Sequence, residues 1–77
     1  MKFPSKFVTY KDSLISKFPL FLTFLKECDH SIPELYNHVK SKVNGYQEFM
    51  DVLDCLFILG KIDFDESEEV IHYVKEN

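Results

Sequence analysis

The chain has 77 residues, which is one small domain, and such a domain buries only about 60% of the surface that its unfolded chain exposes. Yet 45% of the residues are hydrophobic, among them eight Phe and four Tyr, so part of this apolar surface is expected to face a partner. The longest near-apolar run, 18–25, is far shorter than the roughly 20 residues of a membrane span, so no membrane association is expected.

Charge is unevenly distributed along the chain, whose net charge is −4. Residues 1–43 carry seven Lys and four acidic residues, whereas residues 44–77 carry two Lys and nine acidic residues. Arginine, the side chain best suited to bidentate recognition of guanine or phosphate, is absent from the sequence. The sequence begins without a secretory signal pattern, so Cys28 and Cys55 are expected to be reduced thiols of a cytoplasmic protein.

The N-terminal third has two predicted elements. Residues 1–11 are predicted to be an extended arm with a strand over 6–10, because aromatic and polar residues mix there around Pro4. Residues 12–28 are predicted to form helix 1, capped by Asp12 or Ser13. Pro19 leaves two alternatives: a kinked single helix, which we favour, or a turn over 12–17 followed by a second helix with Pro19 at its first position.

The central third contains the clearest local signal, the run Ser31-Ile32-Pro33-Glu34. It is a capping box, in which the Ser31 hydroxyl and the Glu34 carboxylate satisfy each other's backbone N–H, and Pro33 stands where no donor is needed. Helix 2 is therefore predicted over 31–43, closed by Asn44-Gly45. A connection of about two residues then predicts a helix-turn-helix with helix 3.

Helix 3 is predicted over 45–60, with one apolar face and an end at Gly60. The core face contains Phe49, Val52, Leu53, Leu56 and Leu59. Residues 61–75 alternate apolar and polar side chains around an acidic turn and predict a hairpin wing. The predicted fold class is therefore mainly α with a small β-hairpin, a winged helix-turn-helix-like three-helix domain.

The usual function of such a fold, DNA binding through the third helix, is disfavoured by charge. The predicted outward positions of helix 3 are Gln47, Glu48, Asp51 and Asp54. The tip of the wing is also acidic, and surfaces of this sign repel phosphate. We therefore expect no direct, specific DNA binding.

Metal binding and catalysis have little support in the sequence. Cys28, His30 and His38 do not supply four ligands at zinc spacing. The run from Asp63 lacks the glycine and the glutamate of a calcium loop, with Glu68 and Val74 at those positions. The Ser, Cys and His residues show no pattern of nucleophile, base and orienting group. We expect neither an enzyme nor a cofactor, metal or small-molecule substrate.

A partner surface remains as the favoured function. Helix 3 has a second apolar set, Tyr46, Met50, Phe57 and with less support Ile58, which one small core cannot easily absorb. The alternative is that these side chains cover the wing or helix 1. Together with the arm and helix 1, the predicted partner-binding residues are Phe3, Phe7, Tyr10, Phe24, Tyr46, Met50 and Phe57.

Three stretches carry a resemblance to a known family: the runs 6–14 (KFVTYKDSL), 31–36 (SIPELY) and 49–62, which ends in LDCLFILGKI. The chain resembles the small middle-component proteins of bacterial ABC-type three-component systems, which are similar to Lamassu-type defence systems. Pro19 departs from the pattern. The resemblance implies partners from the same operon, namely an SMC-like coiled-coil ATPase and an effector that is often a nuclease.

The resemblance thus implies a noncatalytic accessory subunit that holds the ATPase and the effector together in anti-phage or anti-plasmid defence. It carries over no catalytic residue. The competing hypothesis is a free-standing winged-helix regulator or antirepressor, with a homodimer as one form.

Overall fold

The computed structural model describes the backbone of residues 5–75 and the side chains of residues 10–75. The elements in chain order are α1 (Ser5–Ser16), α2 (Phe18–Glu27), α3 (Ile32–Val39), α4 (Gly45–Ile58), β1 (Ile62–Asp65) and β2 (Val70–Tyr73). The predicted fold class, mainly α with a small β-hairpin, is confirmed. Phe3 lies outside the described residues.

The N-terminal segment is a helix, so the prediction of an extended arm with a strand over 6–10 is wrong from Ser5 onward. Strand preference of aromatic and β-branched residues is weak and depends on context. Ser5–Ser16 contains neither Gly nor Pro, and one side of this helix packs on α4 through Tyr10 and Ser13. Tertiary packing of this kind supplies most of the stability of a short helix.

The predicted single helix over 12–28 is also wrong, because the helix is interrupted at Lys17, between α1 and α2. Lys17 is the N-cap of α2, and Pro19 occupies the second helical position, where its missing N–H requires no partner. The alternative with a second helix start is therefore the better description, although the helix before the break is longer than the predicted turn over 12–17. The Lys17 N–H ends α1 by donating to the Leu14 carbonyl at 3.1 Å.

The capping box of α3 is confirmed. The Glu34 N–H donates to Ser31 Oγ at 3.3 Å, and the Ser31 N–H donates to Glu34 Oε1 at 3.1 Å. The helix ends at Val39, earlier than the predicted residue 43, so the connection to α4 spans residues 40–44 and is longer than two residues. Val43 in this connection is nevertheless buried in the core.

The hairpin lies within the predicted wing over 61–75. Its antiparallel register pairs Ile62 with Tyr73 and Asp65 with Val70. At the turn, Asp65 Oδ1 accepts hydrogen bonds from the Ser67 N–H at 3.0 Å and from the Glu68 N–H at 3.2 Å. The Ser67 hydroxyl also donates to Asp65 Oδ1, and this bond, followed by the two backbone bonds, lowers the pKa of Asp65. Side-chain to backbone bonds of this kind explain why the acidic run forms a turn.

A single residue between α2 and α3 extends the hairpin. His30 forms an antiparallel bridge with Ile71, whose N–H donates to the His30 carbonyl at 2.7 Å. The order from α2 onward is therefore helix, bridge residue, helix, helix and hairpin. This is the topology of a winged helix-turn-helix, and α1 precedes it as an additional helix.

The core lies between α2, α3, α4 and the hairpin. Its fully buried side chains include Phe21, Leu35, Phe49, Leu56 and Ile71, and the Phe21 and Phe49 rings lie 5.6 Å apart between centroids. Four members of the predicted core face of helix 3 are buried as expected, whereas the fifth, Leu59, is 57% exposed. Within the described chain, no helix has the length and hydropathy needed to cross a membrane.

Candidate protein-binding surface

The flank of α4 that faces α1 is covered by a polar network around Glu48. Glu48 is only 3% exposed, so its predicted outward position is wrong. Its carboxylate accepts hydrogen bonds from the Ser13 hydroxyl and the Asn44 N–H, each at 2.8 Å. Lys17 Nζ lies 3.4 Å from the Glu48 carboxylate. The prediction missed this position because the helical period of α4 could not show which of its flanks the upstream residues Ser13 and Lys17 would contact.

The partners of Glu48 determine its ionisation. Burial on its own raises the pKa of this carboxyl, but the Asn44 N–H, the Ser13 hydroxyl and Lys17 together outweigh burial and lower the pKa below its ordinary value of 4.5. Glu48 is therefore a carboxylate at neutral pH. A negative charge near the N-terminus of α4 also suits the helix dipole.

The other acidic positions predicted to face outward differ in exposure. Asp51 is half-buried and accepts hydrogen bonds from the Tyr10 hydroxyl and, at 2.9 Å, from Gln47 Nε2. The bond to Asp51 is the largest of the effects that raise the pKa of Tyr10 to about 12. Gln47 and Asp54 are exposed. The outer side of α4 thus keeps an acidic character, although α1 occupies part of it.

An apolar groove lies between α1 and the C-terminal end of α4. We call it the α1–α4 groove. It is lined by Lys11, Leu14, Ile15, Phe18, Cys55, Ile58 and Leu59. Ile58 is 84% exposed, and Ile15 and Leu59 are also exposed.

Sequence reasoning found this groove only in part. It assigned Leu59 to the core face, gave Ile58 the least support among the apolar residues outside that face, and did not single out Ile15. One signal was present in the sequence: Ile58 and Leu59 are adjacent at the end of a helix, where successive residues point about 100° apart. In the structure both are exposed, Ile58 at 84% and Leu59 at 57%.

The predicted residues on α4 lie on the flank away from α1. Tyr46 is 52% exposed and Phe57 is 38% exposed, whereas Met50 is half-buried against the core. The Tyr46 ring also packs on Tyr36 and Phe49, with centroids 5.2 and 5.4 Å apart. This set therefore partly covers the core beside α3, and not the wing or helix 1 as the alternative interpretation held.

The remaining predicted partner residues do not lie on the flank of α4 that carries Tyr46 and Phe57. Tyr10 is exposed at the α1–α4 contact, with its hydroxyl bound to Asp51. Phe24 is half-buried, and its ring stacks on the rings of His30 and His38. The side chain of Phe7, like all of Phe3, lies outside the described residues. The five predicted residues whose side chains are described, Tyr10, Phe24, Tyr46, Met50 and Phe57, do not form one patch.

The fold and this surface define a class of protein: a small winged-helix module whose third core helix is partly covered by an added N-terminal helix. In DNA-binding helix-turn-helix proteins the corresponding helix enters the major groove. Here its C-terminal end instead borders the α1–α4 groove.

Comparison with known proteins narrows this class to a family. Residues 3–71 match the family model described as ABC-three component (ABC-3C) system Middle Component 7. Because the match covers most of the chain, the protein belongs to this family of middle components. No match was found among curated proteins or among solved structures. The resemblance to three-component middle components is thus confirmed at the level of the family.

Proposed function

We propose that this chain is a noncatalytic accessory subunit that holds an SMC-like ATPase and an effector together in anti-phage or anti-plasmid defence. The observation that carries the proposal is the α1–α4 groove, in which a small chain leaves Ile15, Ile58 and Leu59 in water. Membership of a middle-component family supports it, because a middle component works with other subunits of its system.

The shape of the groove indicates an amphipathic helix as its occupant. α1 and α4, with Phe18 from the start of α2, form its walls, and an apolar helix face placed between them would cover Ile15, Ile58 and Leu59 together. Burial of a Leu or Ile side chain contributes about 1.5–3 kcal/mol relative to full exposure. Three partly exposed side chains are therefore sufficient for a substantial part of a binding free energy.

Charge indicates what should flank the apolar face of that helix. Asp51 and Asp54 precede Cys55 and Ile58 by one turn of α4, so acidic side chains continue the line of the groove. The hairpin turn adds exposed Glu66, Glu68 and Glu69. We assign the groove to a helix of the ATPase that carries Lys or Arg beside its apolar stripe. Opposite charges on the two surfaces would speed the association of the two proteins and fix the orientation of the bound helix in the groove.

In this proposal the same acidity keeps the module from competing for DNA. Phosphate is repelled by the acidic hairpin and by exposed Asp54 and half-buried Asp51 of α4, whereas a basic helix is attracted. The subunit binds protein and contributes no chemistry of its own to the complex.

Co-expression with the neighbouring ATPase and effector genes, followed by size-exclusion chromatography, tests the proposed function. We expect the chain to elute with the ATPase, and the effector to join that complex only when the chain is present. Elution of the chain as a lone monomer beside its neighbours would overturn the proposal. A homodimer, or salt-sensitive retention on heparin, would instead support the free-standing regulator.

A further inference from the structure

A second cluster of reactive groups lies between α2 and α3, at the residues that follow the end of α2. Cys28 Sγ is 3.4 Å from His30 Nε2, and His30 Nδ1 is 3.3 Å from Glu34 Oε1. Sequence reasoning found no nucleophile with a base and an orienting group, because these residues are close in sequence without any known motif spacing. In the fold the His30 ring lies between the Cys28 thiol, as nucleophile, and the Glu34 carboxylate, as orienting group.

Three interactions restrain the imidazole of His30: a ring stack, a backbone bridge and a hydrogen bond to Nδ1. Its ring stacks on Phe24, with centroids 3.9 Å apart and planes 10° apart, and the His38 ring stacks on the same phenyl group. The backbone of His30 is fixed by both hydrogen bonds of its bridge to Ile71. Glu34 holds Nδ1. A ring restrained in this way keeps Nε2 directed at the thiol.

Glu34 also selects the proton position on the ring. The Ser31 N–H and His30 both donate to this carboxyl, and these hydrogen bonds lower the pKa of Glu34, which is a carboxylate at neutral pH. A carboxylate accepts hydrogen bonds and has none to give, so the proton of neutral His30 stays on Nδ1. Nε2 is then free to accept the proton of the Cys28 thiol.

We propose that Cys28 is a modification site that forms a mixed disulfide with low-molecular-weight disulfides, with His30 as the base. The Cys28 thiol gives its proton to His30 Nε2 as Sγ attacks one sulfur of the disulfide. A new S–S bond forms, the old one breaks, and the released thiolate takes the proton back from the imidazolium. Cys28 is oxidised and half of the small disulfide is reduced to a thiol.

The exposure of the two cysteines provides an internal comparison. Cys28 is exposed at the end of α2, whereas Cys55 is half-buried in the wall of the α1–α4 groove. Accessibility and a neighbouring base are the features of a reactive thiol. The modification consumes one disulfide per chain and requires no substrate pocket, so it is compatible with a noncatalytic subunit and independent of the proposed function.

Reaction with the aromatic disulfide dithiobis-nitrobenzoate measures this directly, because each thiol that reacts releases one coloured thiolate. In the Cys55→Ser variant only Cys28 can react, and in the Cys28→Ser variant only Cys55 can. At neutral pH we expect Cys28 to react about tenfold faster than reduced glutathione, and Cys55 to react more slowly than glutathione. Incubation with oxidised glutathione should add one glutathionyl group, at Cys28, as read by mass spectrometry.

Two further variants test the role of His30 in the Cys55→Ser background. His30→Asn keeps a donor for Glu34 and the backbone bridge but removes Nε2, and it should reduce the rate to that of glutathione. Glu34→Gln preserves the capping pattern while removing the charge, and it should give an intermediate rate. Far-ultraviolet circular dichroism checks that each variant is folded. A Cys28 rate equal to that of glutathione, or one unchanged by His30→Asn in a folded chain, would overturn the inference.

Discussion

Glu48 is the residue whose environment differs most from what its sequence position indicates. Its place in α4 and its charge predict an exposed side chain, but the structure buries it against Ser13 of α1, the α2 N-cap Lys17 and the α4 N-cap Asn44. A buried carboxylate is tolerated only where its hydrogen bonds are supplied. None of the described buried side-chain N and O atoms lacks a hydrogen-bond partner.

Replacement of Glu48 by Ala should therefore lower the free energy of unfolding by about 1–3 kcal/mol, because Ser13 and Lys17 would lose a buried acceptor. Glu48→Gln should cost less, since its amide oxygen still accepts hydrogen bonds. Urea denaturation at neutral pH measures both variants. Exposed Gln47→Ala is the matched control. Equal stabilities for Glu48→Ala and Gln47→Ala would mean that the network is not formed.

The same residue predicts a pH dependence. The pKa of Glu48 is lower in the folded state than its ordinary value of 4.5, so its ionised form stabilises the fold above that value. The contribution is lost as the pH falls through the folded-state pKa, where the buried carboxylate must take up a proton. The stability difference between the wild type and Glu48→Gln should consequently shrink in acid. A difference that stays constant down to the acid transition would contradict this.

At the scale of elements, the break between α1 and α2 shows how one proline is accommodated. The second position of a helix has no intrahelical acceptor for its N–H, so Pro19 forfeits no hydrogen bond there. Pro19→Ala should thus change the free energy of unfolding by less than about 1 kcal/mol. In the interior of one continuous helix, the same substitution would stabilise the chain by about 3 kcal/mol. Urea denaturation distinguishes the two values.

The elements also show which sequence signals were sufficient to predict the local structure. Short-range chemistry predicted the capping box at Ser31 and Glu34 and the hairpin beyond Gly60, because each signal is complete within a few residues. The core face of α4 was predicted for four positions of five. The helical state of α1 depends on packing against residues 41 and 35 positions away, through the contacts of Tyr10 with Asp51 and of Ser13 with Glu48. Local pattern could not reveal that contact.

At the scale of the whole molecule, α1 determines what the surface can do. It covers Glu48 and part of Asp51 and, together with the end of α4, it forms the α1–α4 groove. The candidate site was predictable only in part, since helix 1 and an apolar set of helix 3 were expected to face a partner, with Ile58 as the least supported member of that set. The residues that form the groove come from α1, from the first residue of α2 and from the end of α4. Of these, only Lys11 lay in the predicted arm, and Leu14, Ile15 and Phe18 lay in the predicted helix over 12–28.

The uneven charge distribution of the chain also determines which partner the surface can bind. Residues 44–77 hold nine of the thirteen acidic residues, and residues 45–73 of this segment form α4 and the hairpin. The apolar groove thus adjoins the acidic part of the molecule. This combination suits a basic amphipathic helix better than nucleic acid.

Affinity for the purified ATPase, measured by calorimetry with the wild type and two single variants, tests this account most directly. Ile58→Asp places one negative charge in the α1–α4 groove at a side chain that is 84% exposed, so the fold should be unaffected. Asn37→Asp adds the same charge at an exposed position of α3 and serves as the matched control. We predict at least tenfold weaker binding for Ile58→Asp, about 1.4 kcal/mol, and wild-type affinity for Asn37→Asp. Equal affinities for all three proteins would contradict the assignment of the groove as the docking site.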